Sequence, residues 1–430
     1  MSTTYTKEQQ IYSLSFSANS AFGLSWKQED CKSGMAAMQS YVTQVSKDVL
    51  SKTSSIIGNW KPVWGPIVYA NDPTSNSVHA DNTMGLYYNA DENQFVIAIA
   101  GTNGNSPFGW FTEDFSVHTM VTWESITGVS NSGSIANGTS IGLTILKDKM
   151  KNASGETIAT ALTNFLASGT VPNGANIAVA GHSLGGALAP TLAMYLLNTK
   201  TTWDPKGITS ITAYPTAGPT PGDKNFAKYY EEEISKKNIT YISQHNSIDI
   251  VPHAWQETDL EQIPSIYDAN IVPPSGENPS DAFMGILTSV AALNALSASF
   301  LKVPYNPYQQ ITPSTTLSGT FDTSVDDLVS KKLKYLSLVI PKNLEKYVAS
   351  LKNVARFLAQ AATQHTTAYY PLLGVTEFMD AYKIILEDDK PTGMTTEEVY
   401  TTVIKDTLHI DLNTIDTDAM ENAHESKVEN

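Results

Sequence analysis

One serine in this chain sits where its chemistry can be read directly. The stretch Asn176–Pro190 reads NIAVAGHSLGGALAP. Ile177–Ala180 predicts a strand, Gly181-His182-Ser183-Leu184-Gly185 a tight turn, and Ala187–Leu197 a helix. That is the strand–turn–helix context a G-x-S-x-G nucleophile requires. The turn strains the serine backbone and admits only very small residues two positions to either side. It also lifts the hydroxyl above a helix N-terminus, where developing negative charge is favoured. The chemistry such a serine performs is acyl transfer. A hydroxyl is a poor nucleophile until a base removes its proton, and a neutral imidazole can do so near pH 7. A buried carboxylate then holds the imidazole tautomer and stabilises the imidazolium.

The acid and the base must come from elsewhere. Asp249 stands at the end of a predicted strand in Tyr241–His253, YISQHNSIDIVPH, and is the expected acid. Asp223, Asp259 and Asp268 are rivals without comparable context. Of eight histidines, His182 adjoins the nucleophile and cannot fold back onto it, while His245 and His253 lie within four residues of Asp249. His79 and His118 precede Ser183; further along the chain His365, in QHTTAYYPLLG, is the expected base and His409 the alternative. Acyl transfer also needs donors for the oxyanion. The backbone N–H of Leu184 should be one, and Thr102, after the apolar run FVIAIA at Phe95–Ala100, should supply the other.

The elements that hold these residues alternate. A helix is expected over about Ser20 to Lys52, where Met35, Met38, Val42, Val45 and Val49 share a face. Strands are expected at Gly65–Ala70, Met84–Asn89 and Phe95–Ala100, and a loop-rich stretch at Asn103–Thr139. Helices at Ile141–Met150 and Thr157–Ala167 lead to the elbow. Beyond it come a strand at Gly207–Thr212, a helix at Asp223–Lys236 and a strand at Ile239–Ser243. Alternation of this kind implies an α/β architecture, a mainly parallel central sheet with helices on both faces. Ligands bind such sheets at the carboxyl ends of the strands, where the elbow lies.

Taken together, the elbow, the Gly101-Thr102 turn, the run Ala213–Phe226 (AYPTAGPTPGDKNF), the Asp249 loop and the His365 segment resemble the class 3 lipase family. The likeness runs from about Tyr69 to Gly374. The Ser-Asp-His order is that of α/β-hydrolases. The resemblance implies an α/β-hydrolase fold and a serine carboxylic-ester hydrolase acting on lipid esters. Ser183, Asp249 and His365 would be its triad, and Thr102 and Leu184 its oxyanion donors. Triacylglycerol lipase, phospholipase A1 and short-chain esterase are its candidate activities. A non-catalytic lipase-like binding or signalling protein is the alternative of another class. The family places a lid just past the oxyanion turn, where NGNSPFGWFTEDFS at Asn103–Ser116 carries Phe108, Trp110 and Phe111. Three family features differ. Asn137-Gly138 stands where the family often carries His-x-Gly ahead of the elbow strand. No Arg follows the elbow in Ala217–Gly222, and Ala100 stands where Arg commonly precedes the oxyanion turn.

Acid and base are separated by 116 residues. Residues 280–360 are therefore expected to form a helical insertion or cap within a core spanning 1–279 and 361–410, with residues 411–430 an acidic tail expected to be frayed. Ala282–Leu301 carries no charge, and its apolar residues recur at helical spacing. It reads as a helix packed within the protein, a cap over the site, or a membrane-inserting helix. Asp326–Ala362 is expected to form two helices broken at Pro341.

The composition of this 430-residue chain excludes several function classes. A net charge of −16 argues against nucleic acid and against docking to anionic membranes through a basic surface. A transient lipid-interface contact through the aromatic loop remains an expectation. Arg356 is the sole arginine, so bidentate clamps on phosphate are scarce. Cys31 is the sole cysteine and is expected to be a packing residue, so no intrachain disulfide is expected. No metal motif stands in the sequence, and no cofactor is implied. The N-terminus shows neither a basic n-region nor an apolar h-region, which points to a cytoplasmic chain or one exported without a signal peptide. The lysine-rich, cysteine-poor usage points to a bacterial source.

Overall fold

The innermost strands of the sheet, Gln94–Ile99 and Ala175–His182, form where apolar residues predominate. The computed structural model describes residues 5–27, 31–72, 77–103, 117, 119–260, 262–267, 270–271, 307–334, 348–389, 401, 404–405 and 411–415. Seven strands of the central sheet are β1 (Lys61–Tyr69), β2 (Asn82–Asn89), β3 (Gln94–Ile99), β4 (Ala175–His182), β5 (Thr209–Thr216), β6 (Ser243–Asn246) and β7 (Ser314–Leu317). They lie side by side in chain order. β1, β2 and β3 pair antiparallel, and from β3 to β7 every pairing is parallel. A short strand at Thr240–Tyr241 also pairs with β5.

β3 is buried along its whole length and β4 nearly so, as expected of parallel strands covered on both faces. The side chains divide by the two-residue period of a strand. Phe95, Ile97, Ile99, Ile177 and Val179 enter one core. Val96, Ala98, Ala178 and Ala180 enter the other. Helix α1 (Lys7–Ser17) packs on this second, small-residue face, and α2 (Cys31–Lys52) covers its flank. The opposite face carries α3 (Asn137–Thr144), α4 (Ile158–Ala167), α5 (Leu184–Asn198) and α6 (Lys224–Ser235). Further along the chain come α7 (Thr323–Lys332), α8 (Val348–His365) and α9 (Thr376–Asp388). Among the described residues, no helix is long and apolar enough to cross a membrane.

The fold departs from the sequence expectations in identifiable places. The helix expected over about Ser20 to Lys52 begins only at Cys31. Gly23 takes φ +71°, and Ser25–Lys27 pairs antiparallel with Ser77–His79 instead. Sequence reasoning missed α1. A capping box starts it, with Thr6 accepting from the Gln9 N–H and the Gln9 side chain accepting from the Thr6 N–H. The helix expected at Ile141–Met150 starts earlier, at Asn137, and ends in a π-turn over Ile145–Lys149. The strand expected at Gly207–Thr212 runs on to Thr216. The stretch 280–360 is not wholly helical, because Ser314–Leu317 joins the sheet edge beside β6. Ala282–Leu301, Pro341 and residues 416–430 lie outside the described residues.

Candidate active site

The strand–turn–helix expected around Ser183 forms with close backbone contacts. β4 ends at His182 and α5 begins at Leu184. Between them Ser183 takes φ +62° and ψ −125°, a left-handed backbone that a non-glycine residue adopts at a cost of about 1–3 kcal/mol. The surroundings hold it there. Its N–H donates to Thr216 O on β5 at 3.1 Å, and its carbonyl accepts from Gly186 N–H at 2.7 Å. The small residues expected here are needed for close approach. A Cβ at Gly181 would lie 2.1 Å from Gly185 O, and one at Gly185 would lie 2.6 Å from Ile99 O.

The two distant partners meet this serine. Nε2 of His365, the last residue of α8, lies 2.7 Å from Ser183 Oγ. Its Nδ1 lies 2.9 Å from Asp249 Oδ2 and 3.1 Å from Oδ1. A carboxylate can only accept, so Nδ1 carries the proton and Nε2 is free to accept the serine's. Asp249 is fully buried and takes two further hydrogen bonds. Tyr369 donates its hydroxyl to Oδ2 at 2.8 Å, and Val251 N–H donates to Oδ1 at 3.0 Å. A buried ion needs such donors in place of water. Burial and the neighbouring carboxylate push the Tyr369 phenol well above its ordinary range, which keeps it a donor.

A polar ladder docks the helix that carries His365. Arg356, Gln360 and Gln364 stand four residues apart on α8, so they share one face. Arg356 forms a bidentate pair with Asp326 at 2.6 and 2.8 Å. Gln360 exchanges hydrogen bonds with the main chain of Asp322, and Gln364 donates to Thr320 O. Asn246, at the end of β6, donates to both the main-chain and side-chain oxygens of Gln364. The strand that leads to Asp249 is thereby tied to the helix that ends in His365.

His182, beside Ser183, is buried against His365. Its Nε2 lies 2.6 Å from the main-chain oxygen of His365, and the two rings lie 5.0 Å apart. Burial, with the nearby His365 ring, pushes its pKa down to about 3. It therefore stays neutral, with Nε2–H as donor.

Thr102 is buried just past β3, and Leu184 is the first residue of α5. The Leu184 N–H therefore has no acceptor within its own helix. The rivals stand elsewhere. Asp223 caps α6 through Phe226 N–H, and His245 faces Ser314 and Thr316. His409 and Asp268 lie outside the described residues, as do Phe108, Trp110 and Phe111. Among the described residues, no cluster of His, Cys, Asp and Glu could hold a metal.

Sequence reasoning missed Tyr369, Asn246 and the contact made by His182. Tyr369 had a readable signal, since it follows His365 by only four residues. Asn246 and His182 had none, because their partners lie 118 and 183 residues away.

Residues 96–258 match the family model described as Lipase (class 3). The crystal structure of M37 lipase is similar over 89% of this chain and 99% of that one, at 28% identity and a TM-score of 0.60. Lipase II from Rhizopus niveus is similar over 52% of this chain and 74% of its own, at 17% identity and a TM-score of 0.35. A comparison with curated protein sequences finds no match. The class 3 lipase match through the centre of the chain and the M37 likeness over most of its length make it a carboxylic-ester hydrolase of the lipase type, built on an α/β-hydrolase fold.

Proposed function

We propose that the chain hydrolyses lipid esters through Ser183, His365 and Asp249. The observation that carries this reading is the unbroken path from Ser183 Oγ to His365 Nε2 at 2.7 Å and from His365 Nδ1 to Asp249 at 2.9 Å. His365 Nε2 takes the hydroxyl proton as Oγ bonds to the ester carbonyl carbon, and the carbonyl π electrons move to oxygen. Leu184 N–H and Thr102 stabilise that oxyanion, and Asp249 stabilises the imidazolium. The C–O bond to the alcohol then breaks. The alcohol oxygen takes the proton from His365, leaving an acyl group on Ser183. Water, deprotonated by His365, releases the acid by the same steps.

The test is an activity profile over p-nitrophenyl esters from acetate to palmitate, beside a phosphatidylcholine. Turnover rising with acyl length supports a lipase. Greater turnover on the phospholipid makes it a phospholipase A1, and activity confined to acetate and butyrate makes it a short-chain esterase. Ser183→Ala should keep its fold and retain less than about 1% of wild-type turnover, because the triad acts as a unit. A folded wild-type chain with no turnover on any ester would overturn the reading and favour a binding protein.

A further inference from the structure

The turn that carries Thr102 is gripped from outside the class 3 lipase match. Residues 19–23 follow α1 in a series of tight turns, with Asn19 N–H donating to Phe16 O and Phe22 N–H to Asn19 O. Asn19 Oδ1 accepts the N–H of Gly101 at 2.8 Å, and its Nδ2 donates to Phe16 O at 3.2 Å. On the far side of Thr102, Asn103 Nδ2 donates to Ala21 O at 3.1 Å, and its Oδ1 accepts from Gly23 N–H at 3.0 Å. Two asparagines thus bracket Thr102, one reaching into the turn and one reaching out of it.

The physical need for this bracket lies in Gly101. A Cβ there would stand 2.9 Å from His182 O and 3.2 Å from Ser183 Cβ, so only glycine fits against the nucleophile. Glycine also gives the chain its greatest torsional freedom. That freedom falls on the bonds that aim the Thr102 N–H. An oxyanion donor helps only when it is already aimed before the charge appears. The hydrogen bonds of Asn19 and Asn103 remove the freedom that Gly101 introduces.

We propose that Asn19 is a positioning residue of the oxyanion hole, holding the Gly101 N–H so that Thr102 faces the reacting carbonyl oxygen. The inference rests on Thr102 and Ser183 acting as proposed above. Its signature is a defect confined to the transition state, since the substrate's ground-state contacts are untouched.

The experiment compares Asn19→Ala and Asn19→Leu with the wild type and with Ser183→Ala. The leucine variant keeps the volume and removes the acceptor. Four quantities are measured: kcat and KM on p-nitrophenyl butyrate, the affinity for butylboronic acid, and the melting temperature. The boronate forms a tetrahedral adduct on serine with an oxygen in the oxyanion position. Loss of one oxyanion donor costs about 10²–10³ in rate, so a misaimed one should cost about tenfold or more in kcat. Boronate affinity should fall by a similar factor, with KM within about twofold of wild type. Wild-type kcat and boronate affinity in a folded Asn19 variant would overturn the proposal. So would loss of folding in both variants, which would make Asn19 a residue of the fold alone. The Ser183→Ala arm separates the two readings. If that variant still turns over, the site assignment fails. If it is inactive while the Asn19 variants are unimpaired, only the positioning role fails.

Discussion

Nε2 of His182 donates a 2.6 Å hydrogen bond to the main-chain carbonyl of His365. The carbonyl belongs to the last residue of α8, and terminal helix carbonyls lack acceptable partners within the helix. His182, beside Ser183, therefore caps the helix that ends in His365. The link runs through the backbone, so His182 fixes where the His365 ring starts without occupying either of its nitrogens. Phe16 and Tyr369 pack on the His182 ring at 5.1 and 4.9 Å, which leaves it little room to turn.

His182→Phe should therefore lower kcat, with His182→Gln less affected because its amide nitrogen reaches the place of Nε2 and can still donate. Small misplacements at a reacting centre cost up to about 10²-fold, and roughly tenfold or more is expected for the Phe variant. Steady-state rates on a soluble ester check it. Equal rates for Phe and wild type would show that the capping bond does not position the base.

The same residue makes stability depend on pH. Its folded pKa is pushed from 6.5 to about 3 by burial and by the neighbouring His365. The folded chain thus binds fewer protons than the unfolded chain between those values. The stabilising contribution is complete above pH 6.5 and is lost progressively as the pH falls toward 3. Burial also lowers His79 and His245, which add to the effect in the same direction. In urea titrations between pH 4 and 7, His182→Asn should show a slope shallower by up to about 1.4 kcal/mol per pH unit. An unchanged slope would mean that His182 titrates normally in the folded protein.

Tyr369 should matter chiefly for stability. Its hydroxyl donates to Asp249 and accepts from Asn246 N–H at 2.8 Å. Tyr369→Phe leaves that buried N–H without its partner and removes one donor from a buried carboxylate. A loss of about 1–3 kcal/mol is expected from calorimetry or denaturant unfolding. The Asp249–His365 contact itself survives, so ester turnover should fall less than it does for Ser183→Ala.

Gly181→Ala tests the elbow's close packing. The added methyl would meet Gly185 O at 2.1 Å, between two backbones that cannot give way separately. Destabilisation beyond about 4 kcal/mol is expected, enough to abolish soluble folded protein. A soluble variant with native circular dichroism would contradict the rigid strand–helix contact.

What the sequence determined by itself was local. Ser183 is legible because its strand, turn and helix occupy some twenty contiguous residues, and Gly181 is demanded by a backbone contact within that span. The central strands of the sheet are legible because burial on both faces leaves unbroken apolar runs, as in Phe95–Ala100, whereas the edge strand Ser314–Leu317 is polar and mostly exposed and carries no such signal. Asp249 and His365 could be named from their segments, yet nothing local joins residues 116 positions apart. The polar ladder on α8 and the parallel docking of β5 and β6 beside β4 bring them together. The fold alone also decided that Asn19 reaches Gly101, that Tyr369 serves Asp249, and that His182 caps the helix of its neighbour. Such side chains carry no periodic signal, because each is selected by one distant hydrogen bond rather than by a repeated contact with a core.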